Sequence, residues 1–147
     1  MPDITLSNEQ QSLFQVMEKT HQHIFVTGRA GTGKSFLLEY FREHTRKRSV
    51  VIAPTGIAAL NVRGQTIHSL FRLPPSFIQP GSLTNNSRVS SLLRRIETVI
   101  IDEVSMVRAD LMDAIDARLR QAHMFMNNRV ADSEPSFYKR QVIFHAK

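Results

Sequence analysis

Gly28-Arg29-Ala30-Gly31-Thr32-Gly33-Lys34-Ser35 follows the spacing G-x-x-x-x-G-K-[ST]. Glycines at these positions let the backbone turn tightly enough for consecutive N–H groups to face one anion. A helix opening at Lys34 aims the positive end of its dipole at the same place. Lys34 then reaches the β- and γ-phosphates of a nucleoside triphosphate, and the Ser35 hydroxyl is a ligand for Mg²⁺. Chance produces this pattern in roughly half a per cent of chains of this length, so Gly28, Arg29, Ala30, Gly31, Thr32, Gly33, Lys34 and Ser35 are read as a P-loop.

Asp102-Glu103 supplies the complementary chemistry. An aspartate ending a buried strand beside a P-loop can hold Mg²⁺ through a water, and the adjacent glutamate can polarise an attacking water as general base. Lys34 and Glu103 are therefore the catalytic candidates, and Ser35 and Asp102 the metal candidates. Gln10 reads from spacing alone as a capping residue, and a ligand role is only the second reading. Ser7-Asn8-Glu9-Gln10 has the spacing of a capping box, which accounts for Gln10 without any ligand; an amide can also satisfy the donor and acceptor of an adenine edge.

These residues need a scaffold that brings them together. Apolar runs at Ile24–Val26, Val50–Ala53, Val99–Ile101 and Gln141–Phe144 predict four strands. Helical spacing is predicted after Ser7, with Leu13, Val16, Met17 and Phe14 inward. It is also predicted over 33–46, over Ile57–Val62, at Val89, Leu92, Leu93 and Ile96, and at Leu111, Met112, Ile115 and Leu119. Prolines 74, 75 and 80 with Gly81 mark 72–87 as a long loop, and 127–139 is a polar stretch. Continuous apolar strands alternating with helices predict an α/β fold, a parallel sheet with helices on both faces. Right-handed crossovers put all strand C-termini on one edge, where ligands bind. That edge gathers Gly28–Ser35, Pro54–Gly56 and Asp102–Glu103. The last strand is expected at an unprotected edge of the sheet.

The 147 residues suit a single domain with one core. With no cysteine, disulfides and thiolate metal sites are excluded. No apolar run approaches bilayer length and the first residues lack a secretory pattern, so a cytoplasmic protein without membrane contact is expected. The net charge of +6 is unevenly spread: residues 28–98 carry eleven Lys/Arg against three Asp/Glu, whereas 99–147 carry seven of each. A polyanionic partner or a merely soluble basic face both fit that surplus.

In order along the chain stand Leu6-Ser7-Asn8-Glu9-Gln10, the P-loop, Ala53-Pro54-Thr55-Gly56-Ile57-Ala58-Ala59, Gly64-Gln65-Thr66-Ile67-His68-Ser69-Leu70-Phe71 and Ile101-Asp102-Glu103-Val104-Ser105-Met106. Together they resemble the Pif-type, RecD-like DNA helicases of superfamily 1B over roughly residues 6–120. The resemblance implies a RecA-like P-loop NTPase lobe and ATP-driven 5′-to-3′ movement on single-stranded DNA. It implies that Gln10 reads adenine and that ATP and Mg²⁺ are the cofactors. It also implies DNA contacts at Pro54, Thr55, Gly56, His68 and Phe71, chemically suited to gripping phosphates and stacking on bases. From residue type alone, His68 and Phe71 read as core or helix-packing residues.

The chain departs from this family at its end. The family continues its last strand with Gly-Asp and a Gln-Leu-Pro-Pro segment, whereas Phe144 is followed here by His145-Ala146-Lys147. Phe137-Tyr138-Lys139-Arg140 stands where the family has a glycine pair. Residues 1–147 are therefore expected to form a single N-terminal ATPase lobe, truncated before the second motor domain that normally completes the ATP site. Two alternatives are a non-catalytic nucleotide- or DNA-binding module, including a degenerate helicase remnant, and a small-molecule P-loop kinase.

Overall fold

The computed structural model describes residues 5–127 and 140–146. Residues 128–139 of the polar stretch, with Phe137, Tyr138 and Lys139 of the departure, lie outside the described residues. Five strands, β1 (Ile24–Val26), β2 (Ser49–Ala53), β3 (Gln65–Thr66), β4 (Thr98–Ile101) and β5 (Gln141–His145), form one sheet in the order β1-β5-β4-β2-β3. Every pairing is parallel. Among the described residues six α-helices flank it: α1 (Asn8–Lys19), α2 (Lys34–His44), α3 (Gly56–Asn61), α4 (Ile67–Phe71), α5 (Ser87–Leu93) and α6 (Ala109–Asn127).

The apolar strands read as uninterrupted runs because both sheet faces are covered, and the period-2 alternation of side chains divides each run between two cores. Val51, Ile100 and Ile143 pack on one face with Met17 of α1 and Leu37 and Phe41 of α2. Ile52, Val99, Ile101 and Val142 pack on the other with Ile67, Leu70 and Phe71 of α4, Val89 and Leu93 of α5, and Leu111, Ala114 and Ile115 of α6. Within the first layer, Phe14 meets Phe41 edge-on with ring centroids 5.9 Å apart.

Three details differ from the expectation. The final strand is not an edge: β5 lies between β1 and β4, with Ile143 level with both Ile24 and Ile100. Burying both its neighbours' open hydrogen-bonding sides outweighs any benefit of leaving a strand this apolar at the rim. The edges are instead β1, three residues long, and β3, whose two residues are too few for a periodicity signal. Val16 and Leu92 lie 39% and 45% exposed rather than inward, because their helices present only a narrow stripe to the sheet.

The turn from α3 into β3 depends on a close approach. A Cβ on Gly64 would lie 2.4 Å from the Val51 carbonyl oxygen, and the Gly64 N–H donates to Ala59 O at 2.8 Å. Gly64→Ala is expected to destabilise the fold by about 1–3 kcal/mol, the usual cost of overpacking. A urea midpoint unchanged from wild type would show that the backbone relaxes without cost.

Candidate functional site

The P-loop connects β1 to α2, as a triphosphate-binding loop requires. Gly31 and Gly33 have φ of 78° and 79°, a left-handed conformation that side chains resist. Gly33 is the N-cap of α2 and makes no side-chain cap bond, leaving the first N–H groups of the helix available to an anion. Lys34 folds back over the loop: its Nζ donates to Gly28 O at 2.7 Å and Arg29 O at 2.9 Å. The Thr32 hydroxyl donates to Arg29 O at 2.8 Å. Gly28, Arg29, Ala30, Gly31 and Thr32 are exposed, so the phosphate-facing surface is open to solvent.

Gln10 forms the capping box and also reaches the P-loop. Its backbone N–H donates to Ser7 Oγ at 3.2 Å, and its Oε1 accepts from Ser7 N at 3.0 Å, a complete capping box. Its Nε2 donates to Gly33 O at 3.3 Å, tying the start of α1 to the P-loop. The capping role therefore sets the amide against the nucleotide loop instead of competing with a role there.

Asp102 directly follows β4 at 1% exposure, and its N–H donates to Ile52 O at 2.9 Å. Glu103 has φ 53° and ψ 42°, a conformation that costs a non-glycine residue on the order of 1–3 kcal/mol and clusters at functional sites. It breaks the strand and starts a 3₁₀ turn over Val104–Met106, closed by Met106 N donating to Glu103 O at 3.0 Å.

A cavity of about 110 Å³ opens between the start of α2 and the C-terminal ends of β4 and β5, lined in part by Ser35, Glu39, Arg42, Arg63, Asp102 and His145. The two residues assigned to magnesium thus face one space. A hydroxyl and a carboxylate are the hard oxygen donors Mg²⁺ prefers, and this ion ordinarily takes few protein ligands beside phosphates and waters. The donor set fits. Among the described residues no group of three or more His, Cys, Asp and Glu gathers as a metal cluster, which this binding mode does not need.

The candidate DNA residues divide. Thr55 is the N-cap of α3, its hydroxyl accepting from Ala58 N at 3.2 Å, and Thr55 and Gly56 are exposed with Pro54 half-buried. His68 is half-buried on α4, and its Nε2 has no hydrogen-bond partner among the described residues. Phe71 is 0% exposed within the larger core. A direct base contact is therefore corrected to a core role, since stacking would require pulling the ring from its packing.

Several organising residues carried no weight in the sequence reading. Arg118 of α6 is 5% exposed; it donates to Phe71 O at 3.1 Å and Thr84 O at 2.7 Å, holding the end of α4 and the following loop. Burial lowers its pKa. Its place seven residues after Leu111, on the same apolar stripe, was the available signal. Asp110 anchors that loop too, accepting from Ile78 N at 3.0 Å. Paired with the Arg108 guanidinium, its carboxyl drops to a pKa of about 2. Arg42 of α2 donates to Arg63 O at 2.8 Å, linking the nucleotide helix to the end of α3.

The PIF1-like helicase family model matches residues 5–144. The ATP-dependent DNA helicase Pif1 of Bdellovibrio bacteriovorus is 36% identical over 132 residues, covering 83% of this chain and 29% of that protein. The ATP-dependent DNA helicase PIF1 of Saccharomyces cerevisiae is 38% identical, covering 82% of this chain and 15% of its own length. The structure of a Bacteroides Pif1 helicase in complex with ADP-AlF3 and single-stranded DNA superposes with a TM-score of 0.80 at 38% identity, over 99% of this chain and 33% of that one. The chain thus spans a third or less of these relatives. On the strength of the family match and of these identities, it belongs to the PIF1-like helicase family.

Proposed function

We propose that this chain is the nucleotide-binding lobe of an ATP-driven DNA helicase. It binds ATP with Mg²⁺ and single-stranded DNA, and in a full-length context it couples hydrolysis to 5′-to-3′ translocation and unwinding. The observation that carries this reading is the convergence of the P-loop, Asp102 and Glu103 on one edge of a parallel sheet, with Ser35 and Asp102 on a shared cavity.

In this reading the loop N–H groups and Lys34 hold the triphosphate, and Gln10 contacts the adenine. Bound Mg²⁺ would neutralise charge on the phosphates, held by Ser35 and Asp102. Glu103 takes a proton from the attacking water. Pro54, Thr55, Gly56 and His68 face the single strand, with Phe71 anchoring α4, the helix of His68, in the core. Arg42 joins the two halves of this surface by bonding the nucleotide helix to the end of the Thr55-capped helix. The basic surplus of residues 28–98, eleven against three, favours a polyanion.

A second reading, a nucleotide- or DNA-binding module without turnover, draws on the basic surplus of residues 28–98, which suits polyanion binding with or without hydrolysis. Transition-state charge in such motors is commonly completed by an arginine from outside the P-loop lobe. Among the described residues no helix is long and apolar enough to cross a membrane.

Calorimetric titration of the folded chain is expected to show magnesium-dependent ATP binding, with slow release of free phosphate and no unwinding by this chain alone. Absence of ATP binding by folded protein would overturn the proposal. Phosphate release accelerated by single-stranded DNA would exclude the module without turnover, and transfer of phosphate to a small molecule would instead identify a kinase.

A further inference from the structure

β5 ends on a histidine whose place is set by the strand register. Ile101 is level with Phe144, so the next pair along β4 and β5 is Asp102 and His145, and His145 is also level with Val26 of β1. On this face the side chains step from the apolar pair Ile100–Ile143 to the polar pair Asp102–His145, one step nearer the P-loop helix. Both polar residues are 1% exposed. His145 Nδ1 and Asp102 Oδ1 are in hydrogen-bond contact. The other ring nitrogen, Nε2, is buried with no hydrogen-bond partner among the described residues. The directional bonding of this ring is therefore spent on the Asp102 carboxylate.

We propose that His145 is a positioning residue for magnesium: its Nδ1–H fixes the plane of the Asp102 carboxylate so that the group meets the ion beside Ser35. The inference rests on the assignment of Asp102 to magnesium. Asp102 lines one cavity with Ser35 and His145, and hydrogen-bond partners behind a metal's ligand are what hold it in a productive rotamer. Packing alone would be served by an apolar residue, as Ile143 serves one step back. A donor at the Nδ1 position is what packing does not require.

The test compares His145→Asn with His145→Gln. The asparagine amide nitrogen falls near the Nδ1 position and the glutamine nitrogen near Nε2, so both variants are polar but only one restores the donor. With each protein and a fluorescent ADP analogue, MgCl₂ is titrated and the midpoint of the magnesium-dependent signal is read, alongside a thermal melt to establish folding. The glutamine variant is expected to need about 10- to 100-fold more magnesium, the usual effect of losing a group behind a metal ligand. The asparagine variant is expected to stay near wild type. Equal midpoints for the two variants, whether both shifted or both unshifted, would overturn the proposal. If the glutamine variant does not fold, a shifted midpoint in folded His145→Asn overturns it, and an unshifted one supports it. Asp102→Asn is run in parallel: an unchanged midpoint there would overturn the magnesium assignment itself, which separates that failure from one specific to His145.

Discussion

Lys34→Ala is expected to weaken ATP binding by about 10- to 100-fold while leaving the fold intact. Hydrogen bonds to charged groups contribute about 1.5–3 kcal/mol each, and about 1.4 kcal/mol is tenfold in affinity. The ammonium already lies across the loop, 2.7 Å from Gly28 O and 2.9 Å from Arg29 O, so little movement separates these contacts from a phosphate. The same bonds tie the loop into shape, and their loss adds an ordering cost to binding. Calorimetry on wild type and variant, with matching circular dichroism spectra, reads the effect directly. An affinity within twofold of wild type would mean that the triphosphate sits elsewhere, and the helicase reading would fall with it.

Glu103→Gln is expected to retain ATP binding and lose about 100-fold or more of the rate of phosphate release, within the contribution general bases make. Glutamine keeps the size and hydrogen-bonding reach of the side chain but cannot accept the water's proton. The backbone supports this assignment. Glu103 holds a left-handed conformation at the end of β4 where a glycine would be less costly, and the side chain is what glycine cannot supply. Single-turnover measurement with single-stranded DNA present gives the rate most sensitively. A rate within threefold of wild type would remove Glu103 from the chemistry and favour a lobe that binds nucleotide without hydrolysing it.

The two variants separate binding from turnover. Loss in the first with retention in the second is the pattern of a nucleotide site whose phosphate grip and water activation come from different strands. Any rate found for this lobe reflects only its own residues, since the matched region is 29% of the Bdellovibrio protein and 33% of the Bacteroides chain.

Much of this protein is written locally. The P-loop could be read from spacing because phosphate binding needs a particular order of glycines, a lysine and a hydroxyl over eight consecutive residues, and the uninterrupted apolar runs could be read as strands buried on both faces. The capping box at Ser7 and Gln10 was equally local, and the structure contains it. What the chain order does not express is which strand lies beside which. β5, last in sequence, inserts between β1 and β4, and this alone carries His145 to Asp102, 43 residues away. The same holds for Phe71: a motif places it next to the candidate DNA residues, but α6 and the sheet together bury it. Local pattern specifies chemistry that fits within one turn or one strand; partners brought together by strand insertion and helix docking depend on the free energy of the whole core, which no single stretch of residues encodes.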